Sequence, residues 1–158
     1  DEFEIENVDD LALAPQLVFS GEMPDVVKPL GQGTYIMKPV IAKSLASSLI
    51  NEPTREYPIE FDSSPMRSPL TLHYDMSFYL DQGAKIQLPE NVLFLTQYGY
   101  YSLYFNWQGS TIEVRRSFLI PPQTIEPEDY TGFVRFCRQI DEVEDREIII
   151  QLLKNEKR

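Results

Sequence analysis

Residues 70–80 read Leu-Thr-Leu-His-Tyr-Asp-Met-Ser-Phe-Tyr-Leu. Leu70, Leu72, Tyr74, Met76, Phe78 and Leu80 fall at strict period two, with Thr71, His73, Asp75, Ser77 and Tyr79 between them. Successive side chains of a strand point to opposite faces, so this alternation predicts a long strand with one buried face. Asp81-Gln82-Gly83 supplies turn residues before a short run from Lys85 to Leu88 that stops at Pro89, which predicts a hairpin or tight bend. From Tyr98 to Trp107 the odd positions Tyr101, Leu103, Phe105 and Trp107 form a candidate core face. Tyr98, Tyr100, Ser102, Tyr104 and Asn106 form the other. Gln108-Gly109-Ser110 is a loop of hairpin length, and Thr111 to Ile120 returns with Ile112, Val114, Phe118 and Ile120 in register.

Strands are also predicted over Thr34 to Ile41 and over Arg55 to Phe61, where Pro58 removes a backbone donor and points to a sheet edge. Gln16 to Ser20 is a further candidate. Gly31-Gln32-Gly33 reads as a turn, and Ala46 to Pro53 as a connection, since Ser47 and Ser48 compete for backbone hydrogen bonds. One helix is predicted over about residues 127–140. Pro127 suits a first helical position, Glu128 and Asp129 favour the positive end of the dipole, and Tyr130, Phe133, Val134, Cys137 and Ile140 make one stripe. Asp141 and Glu144 would continue that stripe with charge, so the helix is expected to end near Ile140, before the β-branched run Ile148-Ile149-Ile150 makes a terminal strand. The fold class that buries all these stripes is mostly β: an antiparallel β-sandwich with one C-terminal helix and a terminal strand.

A chain of 158 residues buries roughly 70% of its unfolded surface and suits one domain, here residues 11–153, between an acidic leader (1–10) and a frayed tail (154–158). Opening on Asp1 rather than Met suggests a processed piece of a longer protein. Hydrophobic residues at 42% and charged residues at 25% exclude wholesale disorder. No apolar run approaches the roughly 18 residues of a membrane span. A net charge of −11 repels phosphate backbones and anionic lipid, so neither nucleic acid nor membrane insertion is expected.

Chemistry-bearing motifs are sparse. One Cys and one His are too few for a usual zinc site, and the acidic run 141–145 lacks the mid-loop glycine of a calcium site, so no metal or cofactor is expected. Cys137 lies mid-stripe on the helix and reads as packing rather than as a nucleophile paired with His73. Arg116 falls in the apolar register of Ile112, Val114 and Phe118. A buried arginine must be paired, which leaves a structural ion pair, an outward-turning bulge, or an anion or partner site. Tyr98, Tyr100 and Tyr104 make a tyrosine stripe that suits a protein, peptide or sugar ligand, or else a second buried face.

The ordered segments Leu30-Gly31-Gln32-Gly33-Thr34-Tyr35, Arg55-Glu56-Tyr57-Pro58-Ile59, Gln87-Leu88-Pro89-Glu90, Tyr100-Tyr101, Arg115-Arg116 and Ile125-Glu126-Pro127-Glu128-Asp129-Tyr130, with Phe133 and Phe136, resemble one family across about residues 28–153. It is the C-terminal domain of unknown function that follows a transglutaminase-like core, of the papain-like cysteine peptidase superfamily, in exported multidomain proteins of gram-negative (Bacteroides-type) bacteria. No segment here matches that core's Cys, His and Asp, so no catalytic residue is carried over. The resemblance implies a noncatalytic accessory domain, partnered by adjacent domains of its polypeptide or by another protein, in the periplasm, at the cell surface or secreted. The alternative is a standalone carbohydrate- or peptide-binding module using the tyrosine stripe.

Overall fold

The computed structural model describes residues 2–6, 16–20, 26–40, 48–50, 52–61, 69–80 and 83–153. Among them the strands in chain order are β1 (Glu2–Glu6), β2 (Gln16–Ser20), β3 (Val27–Gly31), β4 (Thr34–Met37), β5 (Ile59–Glu60), β6 (Leu70–Tyr79), β7 (Ala84–Gln87), β8 (Val92–Thr96), β9 (Gly99–Gln108), β10 (Thr111–Ile120), β11 (Thr124–Ile125) and β12 (Ile148–Leu152). Helix α1 (Tyr130–Glu144) stands between β11 and β12.

Two four-stranded antiparallel sheets carry the fold, in the orders β6-β10-β9-β8 and β3-β4-β12-β7. The alternating stretch becomes β6, whose apolar positions are the less exposed ones along its whole length. β9 and β10 form the expected hairpin, closed at Gly109 with φ 61°, a left-handed conformation that glycine adopts without a Cβ penalty. β10 is central, so Ile112, Val114, Phe118 and Ile120 are buried between neighbours on both sides. β3 and β4 join through the left-handed turn at Gln32 and Gly33, and the terminal strand β12 inserts between β4 and β7. The inner faces of both sheets and the apolar stripe of α1 share one core, which is the mostly β sandwich with a C-terminal helix and terminal strand that the alternation predicted.

Several boundaries differ from expectation. The acidic start holds β1, which pairs with β2; Phe3 and Ile5 alternate with Glu2, Glu4 and Glu6, a strand period inside an acidic segment. β6 and β7 do not form a hairpin, because β6 pairs with β10 and β7 joins the other sheet beside β12. Strand structure over 34–41 stops at Met37, and that over 55–61 is confined to Ile59–Glu60, just after Pro58. Ser48 and Leu49 are helical within the expected connection. Strands β3, β8 and β11 lie outside the predicted set. Asp81, Gln82, Ile41 and the tail 154–158 lie outside the described residues.

The helix starts later and ends later than its stripe suggested. Residues 127–129 form a turn, with Tyr130 N–H donating to the Pro127 carbonyl at 3.3 Å. The Asp129 carbonyl then accepts from Gly132 N–H (3.0 Å), Phe133 N–H (3.1 Å) and the Tyr98 hydroxyl (3.2 Å). At the other end α1 runs on to Glu144, which is buried.

Candidate functional site

The charge that broke the helix stripe and the charge that broke the strand register meet. Arg116 stands on the inner face of β10, flanked in register by Tyr74 of β6 and Leu103 of β9, and it is 0% exposed. Its Nη2 lies 2.5 Å from Glu144 Oε1, and the Tyr101 hydroxyl donates to the same oxygen at 3.0 Å. The guanidinium carbon sits 5.3 Å from the centre of the Tyr74 ring, within cation–π range. Burial, then the Glu144 charge, pushes the Tyr101 hydroxyl well above the usual phenol range, which keeps it a donor. An unpaired buried ion costs several kcal/mol, so this cluster closes only if α1 reaches Glu144; that is why the helix does not stop at Ile140. Of the alternatives for Arg116, the structure shows the ion pair, and the side chain is not at the surface. Glu144 was legible in principle: it lies seven residues after Cys137, on the same helical face.

Cys137 is fully buried on that face, and burial, with the Asp141 charge second, pushes its thiol up to about 12. Near neutral pH such a thiol stays protonated and is a poor nucleophile. His73 lies on the outer face of β6, with the sheet between it and Cys137.

The outer face of the β6-β10-β9-β8 sheet carries a second polar array. Ser117 and His73 are directly opposed across β10 and β6, with Ser117 Oγ 2.7 Å from His73 Nδ1, and His73 Nε2 is 3.2 Å from Asp75 Oδ2. Arg115 Nε approaches Asp75 Oδ1 at 3.7 Å, and its Nη2 approaches Glu113 Oε2 at 3.7 Å. Ser, His and Asp make a triad by residue type. Nucleophile activation, however, relies on a water-excluding site with oxyanion donors already aimed, and the His73 and Asp75 side chains are more than half exposed on an open sheet. The arrangement is that of a cross-strand polar ladder.

The three tyrosines do not form one surface row. Tyr98 packs under the start of α1, its ring centre 5.9 Å from Phe133 and 6.3 Å from Phe136. A Cβ on Gly132 would lie 2.9 Å from Tyr98 Cζ, so glycine is what lets the ring cross the helix there. Tyr100 is half-buried and donates to Ser102 Oγ at 2.9 Å. Tyr104 is 45% exposed on the same outer face. Beside them in register lie Leu93 and Leu95 of β8, opposite Ser102 and Tyr100, and both leucines are exposed.

A family model for a domain of unknown function, DUF3858, matches residues 33–150, about three quarters of the chain. The chain belongs to the DUF3858 family. No curated protein and no solved structure matches it. The part matched to DUF3858 runs from the β3–β4 turn to the middle of β12. It therefore contains the Arg116–Glu144–Tyr101 cluster, the outer polar ladder and β8. Among the described residues of this DUF3858 domain no helix is long and apolar enough to cross a membrane.

Proposed function

We propose that this domain is a noncatalytic accessory module of a larger exported protein, supporting or positioning a transglutaminase-like or peptidase-like core or another protein partner. The observation that carries the reading is where the reactive groups lie. Arg116, Glu144, Tyr101 and Cys137 are walled into the helix–sheet junction, and the Ser117–His73–Asp75 array lies on an open sheet face. The DUF3858 match supports the domain-of-unknown-function part of the reading, while the transglutaminase-like neighbour and the periplasmic, cell-surface or secreted location come from the family resemblance. The test is the mass and location of the native polypeptide, read by immunoblot of fractionated source cells with an antibody against this domain. A band several times larger than 18.4 kDa in an exported fraction supports the module reading; a band near that mass in the cytosol refutes it.

A second reading, a carbohydrate- or peptide-binding module, draws on the exposed ring of Tyr104, on the same outer strand face as Tyr100. A glycan or peptide array response abolished by Tyr104→Ala supports it, and a blank array removes it.

A further inference from the structure

The two four-stranded sheets present four edges, β6, β8, β3 and β7. An edge strand offers a row of unpaired N–H and C=O groups to any other strand, and proteins blunt such edges with charge, proline or a bulge. Three of the four are blunted. β3 carries Lys28, Pro29 and a register shift between Pro29 and Gly31; β7 carries the exposed Lys85; β6 carries the exposed Asp75 and His73. β8 reads Val-Leu-Phe-Leu-Thr, with no charge and no proline, and its register with β9 is unbroken. Its outward residues Leu93 and Leu95 are 66% and 81% exposed. Among the described residues no strand pairs with its open side.

We propose that β8 is a self-association edge, on which a second copy of this chain adds its own β8 antiparallel and joins two four-stranded sheets into one sheet of eight. The sequence of β8 is self-complementary under a two-fold axis. Centred on Phe94, antiparallel pairing sets Leu93 of one copy opposite Leu95 of the other, twice, so the four exposed leucines close over one another on one face. The flanking pair within the strand is Val92 with Thr96, so no like charges oppose one another along it. The leucine cluster continues in register into Tyr100 and Leu119 of each copy. Charge also selects this edge: copies with a net charge of −11 repel, and the uncharged strand is where they approach at least cost. Salt that screens this repulsion strengthens the pairing, the reverse of an ionic interface. The inference stands whether or not the chain serves a larger protein.

The experiment is sedimentation equilibrium of the 158-residue chain over a wide concentration range at low and high salt, with amide hydrogen exchange on the same samples. The expected result is a mass rising from 18.4 kDa toward twice that value, more steeply at high salt, with the amides of Leu93 and Leu95 gaining protection as it rises. Leu95→Lys weakens the association at least about tenfold with an unchanged monomer melting curve, and Tyr79→Lys, at the far end of the sheet, leaves it unchanged. A monomer at every concentration overturns the proposal, and so does a dimer whose β8 amides gain no protection, or one lost in Tyr79→Lys and kept in Leu95→Lys. A monomer that instead takes up another protein's strand at β8 assigns the edge to that partner and overturns the second copy as its occupant.

Discussion

Removing one member of the Arg116–Glu144 pair is expected to cost far more than removing both. At a separation of 2.5 Å the gross Coulomb attraction is about 7 kcal/mol at an effective dielectric near 20. The Tyr101 hydroxyl bond at 3.0 Å adds roughly 1.5–3 kcal/mol, as bonds to charged groups do. Against these stand desolvation penalties of several kcal/mol for each ion, so the net worth of the pair relative to apolar side chains of similar volume lies near zero. Glu144→Leu leaves a guanidinium inside the core without its carboxylate partner, beside the Tyr74 ring and the Tyr101 hydroxyl, and is expected to destabilise by ~3–5 kcal/mol. Arg116→Met, which takes the countercharge from the buried Glu144 carboxylate, is expected to cost a similar amount. The double variant Arg116→Met/Glu144→Leu is expected to fall within about 2 kcal/mol of the parent in either direction. The assay is urea unfolding followed by far-ultraviolet circular dichroism, with a constant m-value confirming that the denatured state is unchanged. Single variants that each cost less than ~1 kcal/mol, or a double variant whose loss equals the sum of the singles, would refute the coupling and with it the reason given for the helix reaching Glu144.

Phe133→Ala, which removes a ring packed against Phe61 and Tyr98, is expected to cost ~3–5 kcal/mol in the same assay; a cost below about 1 would show that this face of α1 is not core. Gly132→Ala should gain about 1 kcal/mol on helix propensity alone, yet the Tyr98 ring occupies the space, so a net loss of ~1–3 kcal/mol is expected, reverting to neutral or better in a Tyr98→Ala background. The Cys137 thiol titrates higher folded than unfolded, so its contribution is fully present below pH ~8.5 and is lost as pH climbs toward about 12. Cys137→Ala should flatten that part of the stability profile, and a thiol reagent that labels the native fold as fast as the unfolded chain would contradict the burial. Ser117→Ala on the exposed ladder is expected to cost less than ~1 kcal/mol by thermal melting, and a loss above about 2 would mean that the ladder is structural.

Periodicity alone determined β6, the β9–β10 hairpin, the helix stripe and the class of the fold, because each of these follows from the side-chain repeat of a single element. It also exposed two oddities, Arg116 in an apolar register and Glu144 on an apolar stripe. Only the tertiary structure joins them, since a pairing between residues 28 positions apart depends on how α1 lies across the sheet and not on either local pattern. Tyr98 teaches the same lesson in reverse: it shares a strand face with Tyr100 and Tyr104 by alternation, but it stands at the turn before β9, where Gly132 lets it pass beneath the helix. β8 escaped the pattern because five residues, four of them consecutive apolar ones, carry no alternation that tells strand from helix. Whether such a strand ends in the middle of a sheet or at its edge is set by which neighbours arrive, so the open side of β8, and the leucines it presents, were for the fold to decide.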